Sequence, residues 1–356
     1  MAIVERPLPI GLSPDPVVAL GPEGPFPDEP LGGVIERRWL HYAFVSRDRS
    51  LGMVANVSWL GPSPEDPLRR PRCMSIVLVH RAEEGWDASQ FSAVTSVPQW
   101  SAFRGPEPIG RAGRFEVAAV RPHVGVELDL YRTGRPCTSQ TATFAPGHHF
   151  RWQSEPGIVA RGDWVFRDRM YRNVEAVGYH ERVRGRWGWP ELGGWVFGFA
   201  NDPNGTGVEA PETSIVVTLT QPAASPRSAH SSVMIWNRGR LVRHFPRRCV
   251  SVAVLGLLDR SRVRQTPALA NTLGFPPMAP IPRELVITAK MGPDDVVFHF
   301  ACDHAARVVV PGETGLHPFS VHEVIGPCRV AGSVSGRRFA FETRGIVEFA
   351  GGARAD

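Results

Sequence analysis

Lysine is nearly missing from this chain: of 40 basic residues only Lys290 is not arginine. The arginines are scattered, with adjacent pairs at Arg37-Arg38, Arg69-Arg70, Arg247-Arg248 and Arg337-Arg338. A net charge of +5 and a pI near 9.2 would suit nucleic acid, but a phosphate backbone needs its cations gathered along one face. No basic arm or stripe exists, so no nucleic-acid partner is expected. The cysteines Cys73, Cys137, Cys249, Cys302 and Cys328 are odd in number, far apart and in no CxxC arrangement. That spacing excludes a disulfide framework and a zinc knuckle.

Long apolar runs are absent too. No segment approaches the roughly 18 consecutive apolar residues of a membrane helix, and Met1-Ala2-Ile3-Val4-Glu5-Arg6-Pro7 lacks the charged-then-apolar order of a secretory signal. A cytoplasmic protein without an integral membrane segment is expected, with peripheral membrane contact and oligomeric state left open. GxGxxG, P-loop, HExxH and GxSxG patterns are missing, so nothing calls for nucleotide, zinc or acyl-enzyme chemistry. The expected metal content is none, and no cofactor is implied.

What is present is a β-protein pattern. The first 34 residues, with Pro7-Leu8-Pro9 and Gly21-Pro22-Glu23-Gly24-Pro25, disfavour helix and strand interiors alike and read as an extended arm. Beyond Trp39 the chain is a succession of short apolar alternations, such as residues 75–79, 126–131, 214–219, 250–255, 285–288 and 297–300. Period-two alternation enriched in β-branched residues specifies strands. Arg132-Thr133-Gly134-Arg135, Asn237-Arg238-Gly239-Arg240 and Val334-Ser335-Gly336-Arg337 read as tight hairpin turns, because glycine supplies the positive φ they need. Many short strands joined by such turns imply an all-β sandwich or closed barrel. At 356 residues one large or two medium domains are expected, and no residue-level repeat is legible.

The densest concentration of aromatic and ionisable side chains is Tyr179-His180-Glu181-Arg182-Val183-Arg184-Gly185-Arg186-Trp187-Gly188-Trp189, followed by Trp195-Val196-Phe197-Gly198. Aromatics supply apolar area, while Glu, His and Arg supply charge and protons, the combination a pocket needs to hold a large apolar molecule and move a proton. Core tryptophans beside a solvated arginine face would give the same pattern. Successive strand residues point to opposite faces, so at most one of His180 and Glu181 faces a given pocket unless a bulge intervenes.

The central cluster resembles the carotenoid 1,2-hydratase-like family, which is built as tandem lipocalin-like barrels. Arg186-Trp187-Gly188 resembles the Asn-Trp-Gly part of that family's junction motif. Trp195-Val196-Phe197-Gly198-Phe199-Ala200 resembles the strand that follows, and Tyr179-His180-Glu181 its aromatic and acidic lead-in. Arg38-Trp39-Leu40 suits the family's start, and Val330 through Glu348 its closing hairpin. Tocopherol cyclase and natural-product Diels–Alderases are similar in architecture.

The resemblance implies an all-β fold of two antiparallel calycin-like barrels, residues 35–185 and 186–356. It also implies a cofactor-independent enzyme of secondary or isoprenoid metabolism acting on a large hydrophobic polyene or isoprenoid-like substrate. Gly185 and Arg186 stand where the hydratases carry His and Asn, which points away from carotenoid hydration itself and toward a sister chemistry. The expected reaction is cyclisation of, or acid-catalysed addition to, a double bond. An intramolecular cycloaddition in the same pocket and a non-catalytic carrier of an apolar metabolite are the alternatives. Glu181, His180 and Trp187 are the expected catalytic residues. Tyr179, Arg184, Arg186, Trp189, Trp195 and Phe197 are the expected substrate contacts.

Overall fold

The computed structural model describes residues 36–61, 72–94, 103–104, 114–117, 124–131, 133–188, 192–205, 209–222, 230–266, 281–310 and 319–352. The N-terminal arm and Trp189 lie outside them. The described residues fall into two compact units.

The strands of the first half are β1 (Glu36–Ser46), β2 (Leu51–Leu60), β3 (Arg72–Arg81), β4 (Gly85–Val94), β5 (Phe103–Arg104), β6 (Arg114–Val117), β7 (Val124–Tyr131), β8 (Cys137–Ala145), β9 (His148–Phe166) and β10 (Arg169–Arg186). They form a sheet in the order β4-β3-β2-β1-β10-β9-β7-β6-β5. β3 and β4, at one end of that order, approach β7 near the other, so the sheet curls on itself. Even-numbered residues of β1 line its inside: Leu40, Tyr42 and Phe44 pack with Val126, Leu128 and Trp164.

The second half contributes β11 (Leu192–Asn201), β12 (Thr213–Pro222), β13 (His230–Asn237), β14 (Arg240–Pro246), β15 (Val250–Leu257), β16 (Val263–Thr266), β17 (Pro282–Met291), β18 (Asp294–Ala301), β19 (His304–Val310), β20 (Phe319–Val334) and β21 (Arg337–Gly352). Their order is β14-β13-β12-β11-β21-β20-β18-β17-β15, with β19 on β20 and β16 parallel to β19. Residues 139–149 group with this unit, where Gln140 donates to the Thr218 carbonyl at 3.0 Å and accepts from the Thr220 hydroxyl at 2.8 Å. The core is built on Phe298, Phe300, Val324, Cys328, Val330 and Phe341.

Two of the three turns expected from glycine are there, whereas Gly134 lies between β7 and β8, which each pair with β9 and not with one another. Arg238 and Gly239 have φ of 46° and 74°, and Ser335 and Gly336 have 52° and 76°. Those are the paired positive values whose twist matches that of the flanking strands. The long β9–β10 hairpin turns on Arg167 and Asp168, φ 48° and 63°, without a glycine to announce it. Burial of side chains such as Trp164, Phe166, Phe245 and Phe298 contributes roughly 2–3 kcal/mol each.

A candidate active site around Glu181

β1 and β10 are antiparallel, with Tyr42 opposite His180 and His41 opposite Glu181. Because side chains alternate, each pair selects one face. Tyr42 belongs to the inner core, and the His180 ring stacks on it at 4.3 Å with an interplanar angle of 14°. The His180 Nδ1 lies 3.0 Å from the His41 carbonyl oxygen, which fixes the proton on Nδ1. Glu181, Tyr179 and His41 therefore occupy the other face of the sheet, and all three are buried.

Three donors among the described residues hold the Glu181 carboxylate. The Trp39 indole N–H reaches Oε1 at 2.8 Å, and the Trp152 indole N–H reaches Oε2 at 2.7 Å. Tyr179 donates its phenol to Oε2 at 2.9 Å. The Tyr179 oxygen in turn lies 2.8 Å from the Ser154 hydroxyl. Indole N–H bonds lie in the ring plane, so both tryptophans meet the carboxylate edge-on. Hydrogen bonds to a charged acceptor contribute about 1.5–3 kcal/mol each, which offsets the cost of burying the carboxylate. Burial and the negative charge of Glu181 hold the Tyr179 phenol well above its ordinary pKa, so Tyr179 keeps its proton and remains a donor.

His41 lies beside this group in the register. Burial pushes its pKa down to about 3, so it is a neutral imidazole at physiological pH. Its Nδ1 lies 3.5 Å from the Asn56 amide nitrogen, at the outer limit of a hydrogen bond.

All the expected site residues except Trp189 lie among the described residues. Tyr179 and Glu181 are joined directly, and His180 faces the inner core on the other side of the sheet. Arg184 and Arg186 are partly exposed, opposite Arg38 and Glu36 on β1. Trp187 is buried and groups with the second unit. Trp195 and Phe197 belong to β11, where the Trp195 indole N–H donates to Glu348 Oε1 and Phe197 stands opposite Glu348 in the register. Sequence reasoning missed Trp152 and Ser154 and gave Trp39 no role in the site. Trp39 lies on a strand 142 residues from Glu181, and Trp152 and Ser154 lie on the strand that precedes it, joined by a long hairpin that nothing in the sequence announced.

Glu348 is the second buried carboxylate of this kind. It faces Glu323 across β20–β21. Burial raises its pKa, opposed by hydrogen bonds from Glu323 and Trp195. Two carboxyl groups joined by a hydrogen bond must carry a proton between them, since like charges at that distance cannot both ionise.

No protein-family model matches the chain, and no curated protein matches it in sequence. Solved structures do. A protein of Nitrosomonas europaea described as an ATTH superposes with a TM-score of 0.58 at 12% identity, over 90% of this chain and 93% of that one. Kievitone hydratase from Nectria haematococca gives 0.56 at 11% identity, over 88% of each chain. CghA bound to Sch210972 gives 0.49 at 13% identity over 89% of this chain and 88% of the other. Two curled antiparallel sheets in tandem, with the first two structures superposing along nearly the whole chain, make this a tandem lipocalin-like all-β protein.

Proposed function

We propose that the chain is an acid–base enzyme in which Glu181 exchanges a proton with a large apolar unsaturated substrate, leading to addition across, or cyclisation through, a carbon–carbon double bond. The observation that carries this reading is the buried Glu181 carboxylate held by Trp39, Trp152 and Tyr179. A carboxylate kept out of water and fixed by donors has a defined geometry for proton transfer.

The Ser154–Tyr179–Glu181 chain can run in two directions. With Glu181 ionised, Tyr179 donates to it and accepts from Ser154. With Glu181 protonated, the carboxyl O–H donates to the Tyr179 oxygen and Tyr179 donates to Ser154. A proton gained or lost at Glu181 is thus accommodated by rotating two hydroxyl hydrogens, without moving heavy atoms. In the forward step the carboxyl gives its proton to one carbon of the double bond and leaves a cation on the other. Water or a second double bond of the same molecule then supplies the electron pair. The adduct loses a proton to the carboxylate, which restores the starting state. The same fold serves a hydratase in Nectria haematococca, in keeping with this chemistry.

The test is native mass spectrometry and product analysis of wild type, Glu181→Gln and Tyr179→Phe after incubation with an apolar extract of the source cells. Product from wild type, bound but unconverted substrate in Glu181→Gln and slowed turnover in Tyr179→Phe are expected. Equal turnover by wild type and Glu181→Gln would replace proton transfer with shape-driven cycloaddition. Binding without turnover in all three would make the protein a carrier.

A further inference from the structure

The second unit has a polar row on the inner face of its sheet that the proposed reaction leaves unused. Gln265 on β16 stands opposite Arg307 on β19, Arg307 opposite His322 on β20, and His322 opposite Phe349 on β21. The row continues to Val196 on β11 and Leu219 on β12. Residues opposite one another share a face. Val196, Leu219 and Phe349 are partly buried and pack against the core of this unit, so the row borders that interior.

Its polar members are fixed in orientation. Arg307, 4% exposed, donates through Nε and Nη2 to the Ser320 hydroxyl at 3.1 and 3.0 Å, and through Nη1 to Gln265 Oε1 at 3.1 Å. Gln265 Oε1 is therefore the acceptor and its Nε2 is directed elsewhere. That Nε2 is buried with no hydrogen-bond partner among the described residues. His322 is fully buried. Its Nδ1 lies 3.3 Å from the Phe349 carbonyl oxygen, so Nδ1 carries the proton and Nε2 is an acceptor. Nε2 also has no hydrogen-bond partner among the described residues. Burial, reinforced by the Arg307 charge, pushes the pKa of His322 down to about 4, so the ring is neutral and that acceptor persists at physiological pH. Leaving such groups buried and unsatisfied costs about 1–3 kcal/mol apiece.

We infer that this row is a second ligand site, independent of Glu181, which takes the carboxyl end of an apolar molecule whose body lies over Val196, Leu219 and Phe349. A carboxyl group matches the row on both counts. One oxygen accepts from Gln265 Nε2 beside the Arg307 guanidinium, and the other meets His322 Nε2 through a proton. The hydrogen bond is the same whether that proton rests on the carboxyl or on the imidazole. A methyl ester cannot make it, because it has no proton to share with Nε2 and bears no charge for Arg307.

The probe is 12-(1-pyrenyl)dodecanoic acid against its methyl ester, titrated by fluorescence into wild type, Gln265→Leu, His322→Phe and Glu181→Gln, with thermal unfolding of each protein recorded in parallel. Wild type should prefer the acid by roughly tenfold or more, as a charge-assisted contact provides. That preference should fall toward unity in Gln265→Leu and His322→Phe and survive in Glu181→Gln. Equal affinity of wild type for acid and ester overturns the inference. So does an acid preference that persists in either folded row variant, since ordered water would then be what satisfies Gln265 and His322. Should His322→Phe fail to fold, the partly exposed Gln265→Leu decides alone.

Discussion

Trp39 donates its indole N–H to Glu181 from 142 residues away, across the β1–β10 pair and two positions out of direct register. Trp39 itself stands opposite Val183, while His41 stands opposite Glu181. The second unit repeats this relationship. Trp195 donates to Glu348, yet stands opposite Ala350 while Phe197 stands opposite Glu348. The glycine three residues before each Glu repeats as well, Gly178 against the Ala43 carbonyl and Gly345 against the Phe199 carbonyl. Both carbonyls come four residues after the respective tryptophan. The two units thus share a strand order and a Trp–Glu–Gly constellation, differentiated by what surrounds the carboxylate: indole and phenol donors at Glu181, a second carboxyl at Glu348.

If the donors set the reactivity of Glu181, Trp39→Phe and Trp152→Phe should each lower kcat by about tenfold to a hundredfold, the loss of one charge-assisted hydrogen bond. KM should move much less. The check is steady-state kinetics on the substrate found by mass spectrometry, and a change confined to KM would reduce both tryptophans to shaping the pocket.

A methyl group at Gly178 would lie 2.0 Å from the Ala43 carbonyl oxygen and 2.4 Å from the Phe44 ring, whereas at Gly345 the nearest atom, the Phe199 carbonyl oxygen, is 2.8 Å away. Gly178→Ala should therefore destabilise by about 3 kcal/mol and Gly345→Ala by about 1–2 kcal/mol, the range of overpacking costs. Urea denaturation of the two variants measures the order, and equal midpoints would contradict it.

Glu348 has a folded-state pKa raised by burial. A raised pKa means that the folded chain binds the proton more tightly than the unfolded one. Its stabilising share is present below the ordinary carboxylate range and is lost as pH rises through the folded value. Glu348→Gln, which can still accept from Trp195, should be more stable than wild type at pH 7–8. The gain should vanish toward pH 4. Thermal unfolding at both pH values tests this, and a variant less stable than wild type at pH 8 would show that the ionised pair is accommodated.

His41 and His322 are neutral in the fold, with pKa values pushed by burial down to about 3 and about 4. Unfolding returns each to about 6.5, so below that pH the unfolded chain takes up protons that the folded chain refuses. Stability should fall as pH drops from 7.5 to 5, by about 2 kcal/mol per histidine. His41→Asn and His322→Asn should each remove one such share from the pH dependence, read as the difference in unfolding free energy between the two pH values. A difference as large as that of wild type in both variants would show that these imidazoles protonate without unfolding.

The β-class, most strands and two of the hairpin turns are determined by the sequence itself, because alternation and turn glycines act over a handful of neighbours. Residues 214–219 and 297–300 read as strands and are strands, and Gly239 and Gly336 mark turns that form. The hairpin at Arg167-Asp168 was not legible, since nothing in its residue types demands a positive φ. Glu181 could be picked out from its neighbours in sequence, but its environment could not. Strand pairing over 142 residues brings Trp39 to it, and the turn of β9 into β10 brings Trp152 and Ser154. Alternation showed that His180 and Glu181 must part company, while only the curl of the sheet decided which faced the core. The duplicated Trp and Gly-x-x-Glu positions were in the sequence throughout. They became a repeat only when the register aligned them, because what the two units conserve is a geometry between strands and not a run of letters along one.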